Sequence, residues 1–227
     1  MKRHFDDELK KLKDKLFRMG LQAEEAVAKA SQALFERDAK KAEAVVGGDQ
    51  EINLLEIEID ELGHELIALF QPTAVDLRFI TMVLKINNDL ERMGDQAVNI
   101  AEYAIKIIKE PPLKPYVDLP KMSETARSMV REALDAFMQR DAARAKEILE
   151  KDDFIDDIND RVYEEIQKLM RGKPETVSQG LALIMVSHNL ERVADLATNI
   201  AEDVIYLTRG IDVRHHIRER REREEKV

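Results

Sequence analysis

With 227 residues, no cysteine and a net charge of −10, the chain can form no disulfide, thiolate metal site or cysteine nucleophile. Its acidity argues against nucleic acid as a partner. Hydrophobic residues at 44%, charged residues at 36%, and only 8 glycines and 6 prolines suit an all-α protein built from long amphipathic helices. No apolar run of about 18 residues occurs and no signal-peptide core is visible, so a cytoplasmic protein without a transmembrane segment is expected.

In chain order, Phe5, Leu9, Leu12, Leu16, Met19, Ala23, Ala26, Ala30 and Ala33 alternate by four and three. That spacing predicts a bundle-forming helix over about 5–37. Leucine gives way to alanine along it, so its second half can approach neighbouring helices closely. Asp38 is placed to N-cap a further stretch. Gly47-Gly48 weakens that helix, and Asp49 can cap its continuation. From Asp49 to Phe70, Ile52, Leu55, Ile59, Leu62, Leu66 and Leu69 keep helical spacing. Asp49, Asn53, Glu56 and Asp60 form an oxygen-rich edge beside that apolar stripe. Gln71-Pro72-Thr73 breaks the chain, a third helix is predicted over 75–109, and Pro111-Pro112 opens a linker reaching Pro120.

The pattern then restarts. Residues from Ala33 align without gaps on those from Ala136, and Arg37/Arg140, Asp38/Asp141, Asp49/Asp152 and Ile52/Ile155 are identical pairs. The oxygen edge returns as Asp152, Asp156 and Asn159. Pro72 and Val75 correspond to Pro174 and Val177, and LERMGDQAVNIAE from Leu90 recurs 100 positions later as LERVADLATNIAE. Two tandem, pseudo-symmetric three-helix bundles of six long helices account for this, with units at 1–112 and 113–227. The closing RHHIRERREREEKV mixes both signs and is expected to be a solvated helix end.

The duplicated stretch carries the candidate chemistry. Glu91, Asp95, Asn99 and Glu102 share one stripe of their helix, as do Glu191, Asp195 and Asn199 in the second copy. Acids at i and i+4 repel by a few tenths of a kcal/mol, and a solvated face normally interleaves Lys or Arg. Accepting that repulsion twice, at matching places, points to a cation.

Folding back about Thr73 sets Asp49 level with Asn99, Asn53 with Asp95, and Glu56 with Glu91. Asp60 falls lower, opposite Ile86, and is left out. Folding back about Glu175 sets Asp152 level with Asn199, Asp156 with Asp195, and Asn159 with Glu191. These twelve residues are the candidate ligands. Oxygen donors without thiolate favour hard cations, including magnesium, calcium, manganese and iron.

Catalysis is not indicated, because no nucleophile–base set, phosphate loop or zinc pattern occurs. A carboxylate-bridged oxidase or hydrolase is the alternative, and a purely structural helical adaptor is a third reading. Ferritin-like di-iron sites need Glu-x-x-His on two helices. Only Glu61 and His64 have that spacing, with Glu164 and Gln167 in the second unit. His64 reads as a helix-surface residue. His188 is a candidate extra ligand with Asn88 at the equivalent place, and His215-His216 sit in the charged tail.

Pro72, Asp76-Leu77-Arg78 and the paired LERMGD and LERVAD motifs, in a duplicated helical chain of this length, resemble the PhoU family over nearly the whole sequence. The resemblance implies a cytoplasmic, non-enzymatic accessory protein that negatively regulates the phosphate-starvation response. It implies partners in the phosphate ABC transporter, through its ATPase, and in the sensor histidine kinase, with membranes reached only through them. It also implies a homodimer that binds an iron cluster or other ions such as magnesium, manganese or zinc. Carried over by match, the ligands are Glu91, Asp95, Glu191 and Asp195, with Asp49 and Asp152 to Asp156 on the preceding helices. Asn53 stands where the second unit has Asp156, so the first site is expected to hold fewer ions or to hold them more weakly.

Overall fold

The computed structural model describes residues 2–113 and 118–210. The charged tail with His215-His216 and the middle of the linker lie outside the described residues. Six long helices make up the fold: α1 Lys2–Glu36, α2 Ala39–Phe70, α3 Ala74–Ile108, α4 Asp118–Gln139, α5 Ala142–Gly172 and α6 Val177–Arg209. The 3-10 turn Pro174–Thr176 leads into α6.

The α1 seam packs as its spacing demands, with Leu12, Leu16, Met19, Ala23, Ala30 and Ala33 fully buried. The turn that follows is built from an Arg-Asp pair. Arg37 takes a positive φ of 55°, Asp38 N–H reaches back to Ala33 O, and the Asp38 carboxylate accepts from Lys41 N–H at 3.1 Å. Arg140 (φ 54°) and Asp141 repeat the device, with Asp141 N–H on Ala136 O. Each pair therefore closes one helix in the left-handed manner usual for glycine and caps the next.

Two boundaries differ from expectation. Helix α2 runs unbroken through Gly47-Gly48, so Asp49 is an interior residue and not an N-cap. Val45 and Ile52, buried on either side of the glycines, hold that stretch against the core, and their burial outweighs the glycine penalty of about 1 kcal/mol per residue. The linker is also shorter than predicted. Helix α4 starts at Asp118 with Pro120 in its first turn, where the missing N–H would have had no helical partner anyway.

Helices α1, α2 and α3 pack on one another, as do α4, α5 and α6. The triads are joined by α3 against α6 and by α1 against α4, and one apolar core runs through all six. At the α1–α4 contact buried Glu24 accepts from Arg131 at 3.0 Å. Across α3–α6, Lys85 pairs with Asp203, and Gln179 Nε2 donates to Pro111 O at 3.0 Å. Among the described residues, no helix is long and apolar enough to cross a membrane.

Candidate metal centre

Polar contacts fix the register between the helices that carry the candidate ligands. Between α2 and α3, buried Asn87 donates to Glu56 O at 2.9 Å and to Asp60 Oδ1 at 3.4 Å. Asp60 is thereby held beside Asn87. Between α5 and α6, Ser187, at the position matching Asn87, donates to Asn159 Oδ1 at 2.6 Å. Asn159 Nδ2 in turn donates to Glu191 Oε2 at 3.3 Å, at the height the antiparallel register assigns.

In the first half Asn53 Nδ2 donates to Asp49 Oδ2 at 2.8 Å. Asp49 Oδ1 and Asn53 Oδ1 are buried and accept no hydrogen bond. Partial burial pushes the Glu91 carboxyl above its ordinary range, and the charges of Asp95, Glu56 and Asp49 add to the effect. Asp95 is raised the same way, by burial and then by Asp49. These four acids therefore feel one another across α2 and α3.

The second half repeats the arrangement more strongly. Burial first, and then Asp156, Asp195, Asp153 and Glu191, raise Asp152 to about 6. Asp156 is raised by burial and then chiefly by Glu191. Asp195 is raised by burial and by Glu191 and Asp156, against the pull of Arg192 and His188. Asp152 Oδ1 is buried without a hydrogen-bond partner, as Asp49 Oδ1 is at the matching place. His188 stands beside this groove, its Nδ1 2.8 Å from Glu191 Oε2. His64 lies on the α2 surface with Nδ1 against Asp60 O.

Asn99 and Asn199 are half-buried one turn further along, and neither hydrogen-bonds to Asp49 or Asp152. The structure thus gathers Asp49, Glu56, Glu91 and Asp95 in one groove, with Asn53 bonded to Asp49. It gathers Asp152, Asp156, Glu191 and Asp195 in the other, with Asn159 bonded to Glu191, and leaves the two outer asparagines at the margins.

Three further residues shape the grooves. Gly94 lets α3 close on α2, because a Cβ there would lie 3.3 Å from Asp49 Oδ1. The signal was present in sequence as a small residue at the same step of both motifs, Gly94 and Ala194. Ser187 could have been found as the polar counterpart of Asn87. Gln22 of α1 lines a groove of about 210 Å³ with Asp49 and Gly94, and its Oε1 is buried without a partner. No spacing signal marks it.

The donor set suits a hard, multivalent cation. Among the described residues, none of the eight grouped acids is ion-paired to lysine or arginine. Uncompensated buried carboxylate oxygens are unfavourable without a proton, a donor or a cation. As placed, however, no three Asp, Glu or His side chains among the described residues stand close enough together to grip an ion.

Six helices in two repeated triads, each with acids on its second and third helices that raise one another's carboxyls, define an internally duplicated helical-bundle protein. A family model described as the PhoU domain matches residues 16–104 and again 119–204. The chain belongs to the PhoU family. A phosphate-specific transport system accessory protein PhoU homolog from Aquifex aeolicus is 42% identical over 216 residues, covering 95% of this chain and 98% of that protein. One from Pseudomonas putida is 40% identical over 212 residues, covering 93% and 83%. The crystal structure of PhoU from Pseudomonas aeruginosa superposes with a TM-score of 0.87 at 37% identity, over 91% of this chain and 100% of that one. The phosphate transport system regulatory protein PhoU from Streptococcus pneumoniae gives 0.86 at 33% identity, over 92% and 99%.

Proposed function

We propose that this chain is a metal-binding accessory protein of phosphate transport that regulates without catalysing a reaction. Family membership and relatives named as phosphate transport accessory proteins support the phosphate role. The observation that carries the metal reading is the pair of partnerless buried oxygens, Asp49 Oδ1 and Asp152 Oδ1, at equivalent places among acids with no lysine or arginine partner among the described residues.

The residues that would hold the ions are Asp49, Asn53, Glu56, Glu91 and Asp95 in the first groove. In the second they are Asp152, Asp156, Glu191 and Asp195, with Asn159 bonded to Glu191. Bound there, an iron cluster or a magnesium, manganese or zinc ion would offset the acids' charge and tie neighbouring helices together. The rest of the chain keeps the grooves in register through Asn87 and Ser187.

In this reading the protein is cytoplasmic and acts as a homodimer. It restrains the phosphate-starvation response by linking the ATPase of a phosphate ABC transporter to a sensor histidine kinase. Its two structural units are 1–112 and 113–227, and each family-model match falls inside one of them.

Elemental analysis of the purified protein, with and without Glu91→Gln/Glu191→Gln, tests the site. A clear drop in bound metal is expected, and equal metal in both would reject it. Loss of co-purification with transporter or kinase is a separate test of the adaptor role.

A further inference from the structure

We propose that Arg92 and Arg192 form a binding site for an oxyanion, the phosphate group of a free or esterified phosphate, where α3 crosses α6. Lys85 meets Asp203 and Gln179 meets Ile107 O, which sets the two helices antiparallel with residues 93–94 facing 193–194 midway. Each copy of the Leu-Glu-Arg motif delivers one arginine to that crossing. Both line a single cleft of about 400 Å³, with His188, Asp195 and Asn199 on its wall.

Neither guanidinium group is held by a hydrogen bond among the described residues, although Arg192 lies near enough to Asp195 to feel its charge. Arg192 is exposed and makes no ion pair or hydrogen bond among the described residues. Arg92 has only a 3.9 Å contact with Asp89. Some arginines elsewhere are committed to structure: Arg131 holds Glu24 at 3.0 Å, Arg144 holds Asp135 at 3.2 Å, and Arg37 reaches the carbonyl end of α3; what sets Arg92 and Arg192 apart is that both line one cleft. Two like charges drawn into one cleft repel, and an anion between them removes that repulsion. Guanidinium matches phosphate oxygens two at a time. The cleft is larger than one phosphate group, so the remainder of an ester also fits.

Asp195 on the cleft wall opposes an anion. A cation in the adjoining groove would offset that charge, so tighter binding by the metal-loaded protein rests on the metal reading, whereas the arginine pair itself does not. Its sign gives the two sites a joint behaviour, with cation and oxyanion each favouring the other.

The test titrates inorganic phosphate into the full chain, metal-stripped and then with magnesium, following arginine side-chain NMR signals and heat. Saturable binding is expected, weakened about tenfold or more by Arg92→Gln/Arg192→Gln with helicity unchanged. Lys10→Gln/Lys40→Gln removes equal charge from exposed positions elsewhere and should leave binding intact. Co-sedimentation with phosphatidylglycerol vesicles, against phosphatidylcholine, asks whether the phosphate belongs to a lipid. Vesicle binding lost in the arginine variant, without binding of inorganic phosphate, assigns the site to a headgroup. Phosphate binding that survives the arginine variant, or no binding of either probe in either metal state, overturns the proposal. Metal content measured on the same samples separates failure of this site from failure of the acidic grooves.

Discussion

Gly94 on α3 and Asp49 on α2 are in direct apposition: a Cβ built on Gly94 would stand 3.3 Å from Asp49 Oδ1 and 3.1 Å from the Ile52 side chain. The first groove is therefore narrow because one residue lacks a side chain. Ala194 fills the equivalent step in the second half and is fully buried there.

It follows that Gly94→Ala should be tolerated and Gly94→Leu should not. Alanine gains about 1 kcal/mol of helix propensity, which offsets a displacement of a few tenths of an ångström at Ile52. Leucine must push α2 outward, with a loss of about 1–3 kcal/mol typical of overpacking. Urea denaturation of the two variants checks the difference. Metal analysis of the alanine variant should show a first groove loosened while the second is unaffected.

The raised carboxyls predict how stability responds to pH in the metal-free protein. Asp152 titrates near 6 in the fold against an ordinary 3.8, so its negative charge is the disfavoured form there. Stability from this group is lost as pH rises from about 4 through 6, and the full penalty remains above that. Asp152→Asn should therefore raise the melting temperature at pH 7 and do little at pH 4. A saturating divalent cation should stabilise the unsubstituted protein at pH 7 more than this variant. Equal gains at both pH values would show that Asp152 is not under charge stress.

The α1 seam and the six helices were legible because apolar residues recur at three and four along every one. The internal copy states the helical pattern twice, and the antiparallel heights follow from the position of each turn, which is why Asn159 and Glu191 lie level. Gly47-Gly48 misled because a local glycine penalty was weighed without the packing of Val45 and Ile52. The contacts of Gln22 and the meeting of Arg92 with Arg192 were hidden for a different reason. They depend on how α1 is rotated and on how the two copies face each other, and no periodicity within one helix encodes that.

Lys85 and Asp203 supply the charge contact between α3 and α6, and Asp89, raised to about 6 chiefly by its burial, lies close enough to feel both. Met185 and Tyr103 stand at the corresponding places across the internal repeat, so this end of the α3–α6 contact is ionic and the other is not. Lys85→Met removes the cation and leaves two buried acids facing each other. A loss of about 2 kcal/mol is expected, with Lys85→Met/Asp203→Asn recovering part of it. Thermal melts of both variants at pH 7 read this out, and additive losses would deny the coupling.

The unbroken course of α2 through Gly47 and Gly48 gives the simplest prediction. A Cβ at either position meets nothing within 4 Å, so neither glycine is required for close approach. Both are exposed, and Asp49 immediately after them lies in the helix interior. Gly47→Ala and Gly48→Ala should each stabilise the protein by about 0.5–1 kcal/mol, largely by restricting the unfolded chain. If flexibility here lets Asp49 swing toward a cation, the double variant will be more stable yet bind metal more slowly in the first groove. Stopped-flow metal uptake beside a denaturation curve distinguishes glycines kept for movement from glycines that merely weaken a helix.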